Sequence, residues 1–168
     1  CGAGTGLSVQ KHHIEKLPAI TKLNGHTPVK YVIKDSIEGW ADALGVLLSS
    51  FFTSGQPFPE YYATKIEFDF SKIRAEGSTL SSGSGKAPGP EPLRKALYRV
   101  QALLKRRLKE SRGREIKLRP LDAYDIMMHS ADAVLSGGLR RSATLVQFSP
   151  DDLDMMKAKT GNWLKEKS

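Results

Sequence analysis

The sequence predicts a mainly parallel α/β fold, because short strand-like runs alternate with helical periodicity and long crossovers lie between them. Three stretches carry that expectation. Lys65 to Phe70 alternates charged and apolar residues with period two. Asp35 to Phe52 repeats apolar residues (Ile37, Trp40, Ala41, Leu44, Leu48, Phe51) every three or four positions. Ala143 to Phe148 is a short apolar run between a glycine-arginine loop and a Ser-Pro turn, and reads as a buried strand. With 168 residues, 39% of them hydrophobic, the chain has enough apolar material for one core.

From the beginning of the chain, Gly2-x-Gly4-x-Gly6 precedes Leu7-Ser8-Val9, which reads as a strand. A dinucleotide fingerprint needs Gly-x-Gly-x-x-Gly opening into a helix, so a Rossmann assignment fails. Glycine-rich backbone beside a strand still lets a ligand or another strand approach closely. Lys11-His12-His13 follows. Adjacent histidines in a strand point to opposite faces and make poor joint metal ligands, so no metal site is predicted. Asp35 with Glu38 forms a capping-box-like start for the first long helix, whose apolar stripe is expected to face the core.

Residues 77–92 are rich in Gly, Ser and Pro and predict a loop. Gly83-Ser84-Gly85-Lys86 resembles part of a phosphate-binding P-loop, but that motif needs Gly where Leu80 stands and Ser or Thr where Ala87 stands. A mobile surface loop and a backbone that contacts phosphate both remain open. Pro92 then starts an amphipathic helix carrying Leu93, Leu97, Val100, Leu104 and Leu108, ended by Ser111-Arg112-Gly113-Arg114. Leu121-Asp122 opens another that runs through Ile126, Met127, Ala133 and Val134 to Gly137, with Met127 and Met128 as core filler and His129 as scaffold. Ser149 as N-cap and Pro150 in the first turn predict a last helix with Leu153 and Met156 facing inward and a stop near Gly161.

The net charge of +8 is concentrated. Between Arg94 and Arg119 there are eleven Lys/Arg against Glu110 and Glu115. Such a segment is either a solvated helix face or a nucleic-acid surface, and aromatics are not interleaved there as stacking platforms would need. The single cysteine, Cys1, excludes an internal disulfide framework and a cysteine-cluster metal site, and fits a reducing, cytoplasmic setting. No apolar run approaches the roughly 20 residues that span a bilayer. A start without Met, running directly into a glycine-rich strand, predicts a piece of a larger protein or a processed chain; a leading Cys is also what intein excision leaves.

The stretch with the most chemistry is Ser136-Gly137-Gly138-Leu139-Arg140-Arg141-Ser142-Ala143. Its glycines free the backbone, and its two guanidinium forks suit phosphate, carbonyl or base edges. A loop at the mouth of a sheet strand is where α/β proteins place ligands, so a nucleotide or phosphorylated ligand fits; a helix C-cap followed by solvated arginines is the alternative. Residues 137–143 resemble the GG(V/L)RRSA segment of ribonucleotide reductases, in particular the monomeric adenosylcobalamin-dependent kind. Three further segments resemble that family in the same order: Cys1-Gly2-Ala3-Gly4-Thr5-Gly6-Leu7-Ser8-Val9-Gln10, Asp35-Ser36-Ile37-Glu38-Gly39-Trp40-Ala41, and Ala87-Pro88-Gly89-Pro90-Glu91-Pro92-Leu93.

The resemblance implies that residues 1–168 are part of a ten-stranded α/β barrel, its early strands, with a helical regulatory insertion within 35–119. It implies substrate-side roles for Gly4, Ser136, Gly137 and Arg140, and effector-side roles for Lys11, His13 and Arg141. The implied reaction replaces the ribose 2′-hydroxyl of a ribonucleotide by hydrogen through a thiyl radical generated with adenosylcobalamin. A deoxynucleotide effector and a thioredoxin-like reductant are the implied partners. The family's Asn-x-Cys-x-Glu segment does not occur in these 168 residues and Cys1 does not match its redox cysteine, so no catalytic residue is named and the chain alone is expected to be inactive. Two other classes stay in view, a basic nucleic-acid-binding module using residues 94–119 and a structural or interaction domain.

Overall fold

A computed structural model describes residues 4–80, 85–135 and 143–158. Its elements, in order, are β1 (Thr5–Ser8), α1 (Lys11–Ile14), β2 (Asn24–Val32), α2 (Ile37–Phe51), a 3-10 turn (Pro59–Tyr61), β3 (Thr64–Asp69), α3 (Glu91–Glu110), α4 (Pro120–Leu135), β4 (Thr144–Gln147) and α5 (Leu153–Lys157). The strands form two parallel pairs, β1 with β4 and β2 with β3, so the fold is mixed α/β with parallel sheets.

The unit β2–α2–β3 follows from its sequence. In β3, Ile66 and Phe68 are half-buried while Lys65 and Glu67 are exposed, as the period-two pattern predicts. The strand β2 has no such clean signal. Its register against β3 shifts between Asn24 and Val29, where Gly25 takes a positive φ of 85° and Pro28 has no amide to donate, so four residues intervene before regular pairing resumes at Val29 opposite Ile66. The helix α2 connects the two strands and closes the main core. Phe51, Leu47 and Ala43 pack there with Ile20, Ile33 and the apolar side of α3, which presents Leu93, Leu97, Val100, Leu104 and Leu108. Each fully buried Leu or Val contributes about 2 kcal/mol of burial free energy, which fixes the face of α3 that turns inward.

That face was legible, and on α2 the expected stripe holds at Trp40, Leu44, Leu48 and Phe51, which pack in the core, but not at Ile37 and Ala41. Ile37 is 64% exposed and Ala41 is exposed, whereas Val46, Ser49 and Ser50 are buried. The two buried serines are tolerated because Ser50 Oγ donates to the Leu47 carbonyl (2.7 Å) and Ser49 Oγ accepts from the Phe58 amide (3.2 Å). The N-cap is Ser36, whose Oγ accepts from the Gly39 amide at 2.9 Å.

A second, smaller core joins Val9, Ile14, Tyr124 and Met155 around β1 and β4. Here several expectations are corrected. Residues Lys11–Ile14 are a helical turn and not strand. The helix α5 is capped by Asp152, whose Oδ1 accepts from the Met155 amide (3.0 Å), while Ser149 accepts instead from the Lys11 amide (3.0 Å). Met155 faces inward, where it packs with Val9, Ile14 and Tyr124, and that leaves Leu153 and Met156 on the outer side, 64% and 55% exposed. Met127 is exposed and Met128 packs against this core. The expected helix stop near Gly161 lies outside the described residues.

The strand β4 is not buried as predicted. Leu145 is 68% exposed and only Val146 is half-buried, leaving a two-stranded parallel sheet open to solvent among the described residues. Parallel sheets are ordinarily covered on both faces, and an uncovered apolar edge templates further pairing. The isolated chain is therefore expected to self-associate, with light scattering that rises with concentration and a broad unfolding transition. A sharp, reversible, monomeric transition would show that this sheet needs no further cover. No described helix is long and apolar enough to cross a membrane.

Candidate functional site

The small sheet separates the sequence-predicted site residues into two groups. Gly4 lies beside Ala143 at the N-terminal end of the pair: the Thr5 amide donates to the Ala143 carbonyl (2.9 Å), and a Cβ on Gly4 would lie 3.8 Å from that oxygen. The glycine segment thus meets Ala143, two residues after the Gly-Gly-Leu-Arg-Arg stretch. Lys11 and His13 follow the C-terminal end of β1, about 13 Å away along a four-residue strand. Lys11 Nζ pairs with Asp151 at 2.6 Å, a hydrogen bond that raises its ammonium pKa, and His13 Nδ1 sits 2.7 Å from Ser8 Oγ. Ser136, Gly137, Arg140 and Arg141 lie outside the described residues.

A different place in the fold gathers the features of a ligand site. A groove of about 850 Å³ runs between the N-terminus of α2, the loop after β3, the first half of α3 and the last turn of α4. Its walls are Trp40, Leu44, Ile73, Leu93 and Leu97, and its polar rim is Asp35, Ser36, Glu38, Arg74, Lys86 and Ser130. The size and the mostly apolar lining with a few polar groups suit one small molecule.

Local chemistry shapes each side of this groove. Gly39 is buried against the turn into α2, and any Cβ there would overlap the Lys34 carbonyl oxygen and lie 2.7 Å from the Lys34 Cβ. Only glycine lets the chain double back so tightly, which aims the first turn of α2 into the groove. Asp35 grips Arg74 across it, Oδ2 to Nε at 2.6 Å, tying the helix start to the loop after β3. That loop is an ordered structure at its base: the Gly77 amide donates to the Ala87 carbonyl (2.9 Å), the Ala87 amide to the Ser78 carbonyl (2.8 Å), and Thr79 bridges Lys86 antiparallel. Gly77 and Gly89 take positive φ of 83° and 71°, and Gly89 packs against the Glu76 backbone. This pairing leaves Lys86 on the rim, exposed and without an ion pair among the described residues.

The helix α4 is held against α3 by a buried ionic cluster. Asp122, 1% exposed, faces Arg107 (Nε to Oδ2, 2.9 Å) and Arg119 (Nη2 to Oδ1, 2.9 Å), and also accepts from the Arg119 amide (2.8 Å). Arg107 is paired with Glu110 as well. Burial pushes the Asp122 carboxyl up, but the hydrogen bonds from Arg119 and the charges of Arg119 and Arg107 outweigh it and hold the group below its ordinary value. The cluster lay in the basic stretch that the sequence presented as a uniform face; the i, i+3 spacing of Arg119 and Asp122 was its one visible signal. With its far end fixed, α4 carries Ser130, Ala133 and Val134 along the groove and ends at Leu135, one residue before Ser136.

Comparisons with known proteins agree on one kind of protein. Residues 8–104 match the family model described as the insertion domain of B12-dependent ribonucleotide reductase. An adenosylcobalamin-dependent ribonucleoside-triphosphate reductase of Lactobacillus helveticus is 32% identical over 131 residues, covering 78% of this chain and 16% of that protein. The protein of the same name from Lacticaseibacillus paracasei is 28% identical over 94% of this chain and 24% of its own length. A crystal structure of a B12-dependent, class II ribonucleotide reductase superposes with a TM-score of 0.74 at 25% identity, covering 96% of this chain and 25% of that one. The chain thus spans 16% and 24% of the length of these two curated relatives.

Proposed function

The chain belongs to the family of B12-dependent ribonucleotide reductases, and on that premise we propose that it supplies the effector-reading and substrate-facing elements of a cytoplasmic ribonucleoside-triphosphate reductase. In this reading β1 and β4 are early strands of the ten-stranded barrel, and the region 35–119 carries the regulatory insertion. The groove takes a deoxynucleoside triphosphate effector. Its base lies against Trp40 and Leu44, and its phosphates meet Lys86 and the positive end of α2.

The observation that carries this is the path of α4. Its last turn lines the groove, and the chain then passes directly into Gly137-Gly138-Leu139-Arg140-Arg141, whose Arg140 is proposed to meet the substrate base. A ligand that reorders the end of α4 biases that loop, and Gly4 stands next to Ala143 at the loop's far end. Effector binding and substrate choice are then coupled through one helix. Lys11 and His13 do not line this groove, so their proposed effector-side role, with that of Arg141, is a separate proposal from the groove.

The described residues do not fit the cobalamin cofactor itself. A groove of about 850 Å³ is much smaller than a corrinoid with its nucleotide tail and adenosyl group, and the one thiol of the sequence is Cys1. The radical step, and the exchange of electrons with a thioredoxin-like reductant, are assigned to none of these residues.

Two measurements test the proposal. Calorimetric titration of dATP into this chain is expected to show binding that Lys86→Gln weakens about tenfold, the size of one lost charge-assisted contact. In the complete reductase, Arg140→Ala is expected to alter which of the four ribonucleotides each effector favours while the circular dichroism spectrum stays unchanged. Unaltered effector responses in that variant would remove the loop assignment.

A further inference from the structure

The solvent side of α3 carries a cationic crest, and we propose that it docks an acidic, amphipathic helical segment of another protein. Lys95, Tyr98, Ala102, Lys105, Arg106 and Lys109 follow one another at three- and four-residue spacing, all six are exposed, and they extend over about 21 Å of helix. Tyr98 is 72% exposed, more than any other large apolar side chain among the described residues. With Ala102 one turn on, it makes a small apolar shelf flanked by Lys95 at one end and by Lys105 and Arg106 at the other. The four crest cations have no ion pair within 4 Å among the described residues, whereas Arg94, Arg99 and Arg107 beside them are paired. The opposite side of the helix is the one that packs in the main core.

A helix face that only has to stay in water ordinarily interleaves acids with its bases, because like charges four residues apart repel each other. Here no Asp or Glu lies between Pro92 and Lys109 against seven Lys/Arg, and Lys105 stands four residues from Lys109. Carboxylates of a partner at matching spacing relieve that repulsion and set the register of docking. Cover by further residues of the same reductase suits the apolar surface of β4 and α5, where Leu145, Leu153 and Met156 are exposed, and not a crest whose burial would strand four charges. Nucleic acid fits the crest less well. A single strand stacks on successive aromatics, and Tyr98 is the only aromatic of α3. A duplex offers phosphates to the cations and no apolar group to the shelf between them. An acidic amphipathic helix offers both, with apolar side chains at three- and four-residue spacing for Tyr98 and Ala102 and carboxylates beside them.

The test measures fluorescence anisotropy on the complete reductase at physiological ionic strength. The probe is a labelled synthetic peptide of about 18 residues, or five helical turns, with a row of leucines flanked by glutamates. A scrambled peptide of the same composition and a labelled DNA duplex are compared with it. Lys95→Gln/Arg106→Gln removes two crest cations, Tyr98→Ala removes the ring, and Lys16→Gln/Lys72→Gln removes two exposed cations from the segments after α1 and after β3. The ordered peptide is expected to bind about tenfold more weakly to each of the first two variants and within about twofold of wild type to the third. The scrambled peptide is expected to bind the wild type about tenfold more weakly than the ordered one. Equal weakening by both double variants, or a scrambled peptide held as tightly as the ordered one, would reduce the effect to diffuse charge and overturn the crest. Unchanged binding to Tyr98→Ala would overturn the amphipathic partner, as would no binding of the ordered peptide to the wild type. Duplex DNA held more tightly than the ordered peptide, and weakened by Lys95→Gln/Arg106→Gln, would assign the crest to nucleic acid instead.

Discussion

Asp122→Asn is expected to destabilise the protein by about 3–5 kcal/mol, the cost of leaving a buried charge without its counter-charge. The exposure of the partners sets that size. Asp122 is 1% exposed and Arg107 is 7% exposed, so once the carboxylate is gone the Arg107 guanidinium cannot recover solvation and keeps only the exposed Glu110 and the Lys117 carbonyl as partners among the described residues. Asparagine offers one acceptor oxygen where the carboxylate offers two, so the Arg119 amide and guanidinium can no longer both be satisfied at the start of α4. For a chain of this length the expected fall in melting temperature is roughly 10 °C. Urea denaturation followed by circular dichroism, at a concentration low enough to keep the chain monomeric, measures it. A double change, Asp122→Leu with Arg107→Met, is expected to recover part of the loss, since well-packed apolar replacements of a buried pair are often neutral. A loss below about 1 kcal/mol for Asp122→Asn would place the cluster in the class of surface ion pairs.

The same carboxylate predicts the acid limb of stability. Its folded pKa lies below its unfolded value of about 3.9, so its contribution is fully present above that value. As pH falls through the lower, folded value the contribution is lost. Asp122→Asn should therefore flatten the part of the stability profile that lies below about pH 4.

What the sequence made legible were the patterns that local periodicity alone determines. The inward face of α3 follows from leucines three and four apart, and β3 follows from strict alternation, because in both the core lies on one side. The strand β2 was not legible, since Gly25 and Pro28 interrupt its pattern and its pairing depends on β3 some forty residues later. On α2 the stripe was legible at Trp40, Leu44, Leu48 and Phe51 and not at Ile37 and Ala41. The buried side of this helix includes Ser49 and Ser50, which only the structure shows to be satisfied, while Ile37 stands at the mouth of the groove. The groove itself could not be read from any motif. It arises where the start of α2, a hairpin base and the end of α4 come together, and its tightest constraint is one glycine.

That glycine carries the other large effect. Gly39→Ala is expected to destabilise the protein by about 3 kcal/mol, the upper part of the usual range for overpacking. Helix propensity alone argues the opposite sign, because Ala in a helix interior is better than Gly by about 1 kcal/mol. Sterics decide it. The new Cβ would overlap the Lys34 carbonyl oxygen and lie 2.9 Å from the Lys34 carbonyl carbon, and backbone atoms at the mouth of a capped helix have little room to retreat. Gly45 in the same helix is the control. A Cβ there meets the Phe58 ring at 2.8 Å, the far end of a side chain that turns aside, so Gly45→Ala should cost clearly less. Because Asp35 and Ser36 lie between Lys34 and Gly39, relief of the clash must move the residues that hold Arg74 and cap α2. Gly39→Ala is accordingly expected to weaken dATP binding more than Gly45→Ala does. A Gly39→Ala chain that unfolds like the wild type and binds dATP equally well would show that the tight turn from Lys34 into α2 sets neither the stability nor the shape of the groove.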